Sequence, residues 1–89
     1  MELQGILTYR SETQQITEKF SKRDFVIKTD EQYPQEIKFE LHQDKTDLID
    51  PYSDGELIKV EFNLRGRSYT NKDGVTQYAN TLQAWRIQK

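Results

Sequence analysis

The stretch Leu57-Ile58-Lys59-Val60-Glu61-Phe62-Asn63-Leu64-Arg65-Gly66-Arg67-Ser68-Tyr69-Thr70-Asn71-Lys72-Asp73-Gly74-Val75-Thr76-Gln77-Tyr78 decides the fold class, because it holds the longest alternation and the plainest turn in the chain. Ile58, Val60, Phe62 and Leu64 share one parity, while Lys59, Glu61, Asn63, Arg65, Arg67 and Tyr69 share the other. A strand sends successive side chains to opposite faces, so this segment reads as a strand with one face in a core and one in water. Asn71 to Gly74 supply a polar reversal whose glycine can take a positive φ at little cost, and Val75 to Tyr78 start the return strand. Between Leu64 and Lys72 the only charges are positive, those of Arg65, Arg67 and Lys72, and Tyr69 lies among them on the outward face. The hairpin therefore carries a basic and aromatic arm.

That arm stands out against the rest of the composition. Thirteen Lys and Arg against fifteen Asp and Glu leave a net charge of −2, so the molecule as a whole is no polycation, and the distribution of charge matters more than its total. A length of 89 residues suits one domain, taken as residues 1–89, with a modest core. The absence of cysteine excludes disulfides, thiolate metal sites and thiol catalysis, so the small core suffices alone or is completed by a second chain. Met1 leads straight into Leu3 and Gly5 without a signal segment, and no apolar run is long enough to span a bilayer, which reads as a cytoplasmic protein without a membrane partner.

In chain order, the first segment, Glu2 to Gln15, places Leu3, Gly5, Leu7 and Tyr9 on one parity and runs out through the polar residues Ser11 to Thr17. A glycine inside a strand marks a bend or bulge, which a small closed barrel needs where its first strand pairs with two neighbours. From Lys19 to Thr29, Phe25 and Ile27 oppose Phe20, Lys22, Asp24, Val26 and Lys28, the second set reading as outward. Tyr33-Pro34 breaks this strand. Gln35 to His42 then resumes, with Ile37, Phe39 and Leu41 inward and Lys38, Glu40 and His42 outward. Gln43 to Asp50 reads as a short helix capped by Asp44, with Asp47 in its first turn and with Leu48 and Ile49 plugging one end of the sheet before Pro51. In the last strand, Gln77 to Gln88, Leu82 and Ala84 oppose Trp85 and Ile87, which implies a bulge near Ala84 or burial on both sides. The order β-β-β-α-β-β is that of an all-β, five-stranded closed OB-fold barrel with one short helix. An SH3-like barrel is the competitor, but it would not place a helix between the third and fourth strands.

The run from Gly55 to Tyr69, with the turn to Asp73-Gly74 and then Tyr78, resembles the fourth strand, hairpin and fifth strand of bacterial single-stranded DNA-binding proteins, and Leu3-Gln4-Gly5 resembles their first strand. The start Met-Glu-Leu-Gln-Gly, the middle from Phe25 to Pro34 and the ending Ala84-Trp85-Arg86-Ile87 are similar to a family of short uncharacterised Bacteroidetes OB-fold proteins. The first resemblance implies binding of single-stranded DNA or RNA by base stacking and by tracking of phosphates. It puts Tyr69 where those proteins have a stacking Trp, Arg65 and Arg67 on their basic strand, and His42 where they have a stacking Phe. Lys72 and Tyr78 on the hairpin, and Phe20, Lys22 and Lys28 on the second strand, complete the expected nucleic-acid-binding set. The chain departs from the pattern at Phe62 and Asn63, one of which occupies the position of a glycine.

Each of these residues also has a plainer role. Tyr69 and Tyr78 would suit a cross-strand pair, and Arg65 and Arg67 a solvated face paired with Glu61. A bulge would bury Phe20, and Trp85 suits a core or subunit interface. One His, no Cys and no phosphate-binding glycine loop leave nucleophilic and metal chemistry without components, so no enzyme, cofactor or metal is expected. The expectation is a single-stranded nucleic-acid-binding protein, DNA before RNA, with little sequence preference, assembled as a homodimer or homotetramer. The alternative is an OB module for contacts with a protein partner, favoured by the acidic middle of the chain.

Overall fold

The computed structural model describes all of residues 1–89. It contains β1 (Glu2–Arg10), β2 (Gln14–Thr17), β3 (Phe20–Thr29), β4 (Glu36–His42), a 3-10 helix (Gln43–Ile49), β5 (Leu57–Thr70) and β6 (Thr76–Gln88). Five strands close into a ring in the order β1, β5, β6, β4, β3 and back to β1. Neighbours in the ring are antiparallel except β4 and β6, whose parallel bridge joins Glu40 to Gln83. This is the closed OB-fold barrel. Ser11 to Thr17, expected as a polar exit, contains β2, which hairpins onto β3 outside the ring; its four residues are all exposed, so no buried alternation marks it in the sequence. No helix is long and apolar enough to cross a membrane.

Closure rests on Gly5. On one side it pairs with Ile58 of β5 and on the other with Thr29 of β3, so β1 serves two neighbours at this residue. A Cβ here would lie 2.7 Å from the Lys28 carbonyl oxygen and 3.2 Å from Cδ1 of Ile27. The strands approach too closely for any side chain. Beyond it the β1–β3 register slips between Leu7 and Tyr9, which bends β1 around the barrel.

Leu7, Phe25, Ile27, Phe39, Leu41, Ile49, Ile58, Val60, Phe62, Ala84 and Ile87 fill the interior. Phe39 is central, stacked on Phe25 at 5.2 Å and meeting Phe62 edge-on at 5.0 Å. Ile37 packs against this core half-buried. Leu64, expected inside, is instead 55% exposed. The pairing of β1 with β5 stops at Glu2 and Glu61, and the last bonds join Met1 to Phe62, whose amide donates to the Met1 carbonyl and whose carbonyl accepts from the Met1 ammonium, so from Asn63 onward β5 has only β6 beside it and overhangs the barrel. The overhang stretches the molecule to 43 Å along one axis against 19 Å along another.

The irregular parity of β6 is a bulge. Glu61 faces Arg86 and Phe62 faces Ala84, leaving Trp85 as the extra residue, and this is why Ala84 and Ile87 both point inward. Trp85, expected in a core or an interface, is exposed in this chain because the bulge turns it out. The short helix is 3-10, and Asp44 does not cap it. His42 holds the N-cap position without a side-chain bond, and Gln43 enters at φ 59°. Its Ile49 is fully buried and Leu48 packs on the core, plugging the barrel end. Arg10 fastens the plug, donating to the Ile49 carbonyl at 3.0 Å and to that of Tyr52.

Two substitutions test this closure. Gly5→Ala is expected to cost about 1–3 kcal/mol, since backbone must move to admit the methyl group. Phe62→Ala is expected to cost about 3–5 kcal/mol through loss of the ring and the void left under Phe39. Urea unfolding midpoints measure both, and a wild-type midpoint for either would contradict the packing described.

Candidate nucleic-acid interface

The outward parities of four strands converge on one side of the barrel. Register brings Lys22 of β3 opposite His42 of β4, and the parallel bridge sets Glu40 beside Gln83 of β6, which itself faces Asn63 of β5. Two residues further along the ribbon, Arg65 faces Thr81, and Arg67 faces Ala79. The result is a cleft of about 500 Å³ lined by Ile16, Phe20, Lys22, Glu40, His42, Arg65, Arg67 and Thr81. Ile16 reaches it because the β2–β3 register slips between Gln15 and Thr17, where Ile16 stands.

Phe20 is neither buried in the core nor fully exposed. Its ring meets His42 edge-on at 5.0 Å, so the two form an aromatic wall of the cleft. His42 is held in turn by Glu40, whose Oε1 lies 2.9 Å from Nε2, and Lys22 approaches the other oxygen at 3.5 Å. Burial pushes the Glu40 carboxyl up, but the His42 hydrogen bond and the charge of Lys22 outweigh this and hold it below the usual carboxylate range. Three fixed cations against one carboxylate leave the lining positive.

The arginines are the main source of that field. Of the five in the chain, Arg10, Arg23 and Arg86 pair with Asp54, Asp50 and Glu61. Arg65 and Arg67 pair with no carboxylate. The expected Glu61 partner is occupied by Arg86, while Arg65 donates to the Gln83 side chain at 3.2 Å and Arg67 lies 5.8 Å from the centre of the Tyr69 ring. Beyond the cleft, Tyr69 continues the same face of the ribbon, 46% exposed, and Lys72 sits at the exposed tip. The tip is built by Asn71, whose Oδ1 accepts from the amides of Asp73 and Val75, with Gly74 at φ 78°.

Other expected members fall elsewhere. Tyr78 faces Ser68, whereas Tyr69 faces Gln77, so the two tyrosines point to opposite sides of the ribbon and form no cross-strand pair. Tyr78 lies, 79% exposed, on the side away from Arg65 and Arg67. Lys28 shares the parity of Lys22 but sits opposite Glu36, about 20 Å along the strand and outside the cleft. Ile16, Glu40 and Thr81 were not singled out from sequence. Parity put Glu40 on the face of His42, but only the closed ring brings that face to Arg65. Nowhere do three or more His, Asp or Glu side chains gather as metal ligands would.

An OB-fold barrel with a positive, aromatic-walled cleft between a β2–β3 hairpin and a projecting β5–β6 ribbon is thus the class of protein described. The chain belongs to the family described as "Domain of unknown function (DUF3127)", whose model matches residues 2–88. No curated protein matches it. Among solved structures it is similar to Rim1, a mitochondrial single-stranded DNA binding protein from S. cerevisiae, with a TM-score of 0.71 at 15% identity, over 99% of this chain and 90% of that one. That likeness is one of fold.

The held-down carboxyl of Glu40 gives a pH signature. The unfolded chain regains the ordinary value, so the stability that Glu40 contributes is present above that value and lost as pH falls through the lower folded one. In Glu40→Gln the fall in urea midpoint between about pH 6 and about pH 3 is expected to be smaller than in the parent. An equal fall in both would mean that the contacts to His42 and Lys22 carry no net stability.

Proposed function

We propose that this protein binds single-stranded nucleic acid, DNA in the first place, with little sequence preference, and acts by binding rather than catalysis. The observation that carries the reading is the pair Arg65 and Arg67, left without carboxylates in a net-negative chain whose other three arginines are all paired, on the same face as Tyr69 and beside Phe20 and His42. Guanidinium groups suit phosphate, and exposed rings suit the faces of bases, which every base offers regardless of sequence. The strand would run along the cleft and out over the ribbon, with Lys22, Arg65, Arg67 and Lys72 against its phosphates. Glu40 opposes an anion at the floor, which favours seating a base rather than a phosphate beside His42. The similar fold of a protein named for single-stranded DNA binding supports the same reading.

Fluorescence anisotropy with a labelled oligonucleotide tests it. Phosphate contacts by these four cations give a slope of log affinity against log salt of about −3, at about −0.7 per contact. Arg65→Ala and Arg67→Ala are each expected to flatten that slope. Tyr69→Ala is expected to weaken binding by about 1–3 kcal/mol without changing it, since stacking is uncharged. No binding at low salt would overturn the proposal and leave protein contacts as the role of the ribbon. Binding that follows the arginines but ignores Tyr69 would reduce it to electrostatic adhesion.

A further inference from the structure

The free edge of β6 has an unusual composition for an exposed strand. From Thr76 to Asn80 this strand pairs with β5 on one side and with nothing on the other, because its only bridge to β4 lies further on, at Gln83. Strands β4 and β6 diverge from that bridge, leaving a fork lined by Glu36, Ile37 and Lys38 on one arm and Asn80, Thr81 and Leu82 on the other. Alternate backbone amides and carbonyls of the free edge therefore face solvent. Exposed edges are ordinarily blunted by lysines, prolines or bulges. Here no residue from Val75 to Trp85 is charged, none is proline or glycine, and the bulge at Trp85 lies beyond the open part. The opposite edge of the ribbon, along β5, is guarded by Arg65 and Arg67.

We propose that the Thr76–Asn80 edge of β6 pairs antiparallel with the same edge of a second copy of this chain, centred on Tyr78. The occupant follows from the charges. An uncharged edge meets its own copy without repulsion, whereas the arginine-bearing edge of β5 repels its copy. Matching the five open residues to themselves puts Tyr78 opposite Tyr78 at the two-fold axis. Tyr78 is the most exposed of the chain's large apolar side chains, at 79%, and gains a cross-strand aromatic partner on the face away from the arginines. An antiparallel pair has its two-fold axis perpendicular to the sheet, so equivalent faces lie on the same side. The two ribbons become one four-stranded sheet in the order β5, β6, β6, β5. Arg65, Arg67 and Tyr69 of both copies then share one face, and the edge left open by the barrel is closed.

The test uses charge at the symmetry axis and needs no nucleic acid. In sedimentation velocity at high micromolar concentration the parent chain is expected at twice the chain mass. Tyr78→Lys and Tyr78→Glu, at a solvent-exposed position, are each expected at the single-chain mass, because each sets like charges opposite one another, with far-UV circular dichroism unchanged. Their equimolar mixture is expected to return to twice the chain mass. A parent chain that sediments as a monomer would overturn the proposal. So would a dimer that both variants preserve, which would place association on another surface, or a mixture that stays monomeric.

Discussion

The barrel depends on the closeness of β1 and β3 at Gly5. A five-stranded ring of this size closes only if one strand hands over from one neighbour to another within its own length, and at the handover the backbones on both sides press in. Gly5 meets that need by lacking a Cβ, with the Lys28 carbonyl where a methyl group would sit. Everything that follows is set by this contact. It fixes β5 on one side of β1 and β3 on the other, which places Phe25, Phe39 and Phe62 in one aromatic layer and turns the outer faces of β3, β4, β5 and β6 toward a common cleft.

The second constraint is the mismatch in strand length. β1 gives out opposite Phe62 while β5 runs on to Thr70, so half of the β5–β6 hairpin has no core beneath it. A two-stranded ribbon gains little from burial and is marginal alone. This one leans on its continuity with the barrel, on the Asn71 turn and on the full ladder from Asn63–Gln83 to Thr70–Thr76. The freedom from packing is what leaves its side chains available for contact. Around the barrel, carboxylates neutralise Arg10, Arg23, Lys59, Arg86 and Lys89, but the ribbon carries a single acid, Asp73 at its tip, and its arginines stay open. A protein of net charge −2 thereby presents a positive surface in one place.

Alternation and turn chemistry in the sequence determined the strands β1, β3, β4, β5 and β6, the asparagine-glycine reversal, the inward Phe39, Ile58, Val60 and Phe62, and a bulge near Ala84, because all of these depend on residues close together along the chain. Tertiary structure alone decided the rest. Parity puts Leu64 on the same face as Phe62, yet whether a core lies under it depends on how far β1 reaches along β5, and their pairing stops at Glu2 and Glu61. The two tyrosines of the hairpin look like partners until the register that the turn sets, Tyr69 opposite Gln77 and Ser68 opposite Tyr78, sends them to opposite faces. β2 contains a lone Ile16 in a polar run, and its pairing with β3 leaves no mark in local pattern. Glu40, His42, Lys22 and Phe20 could be assigned to outward faces from sequence, but that those faces meet Arg65 and Arg67 follows only from the ring closing, since the parallel bridge between Glu40 and Gln83 joins residues 43 positions apart that no local interaction connects.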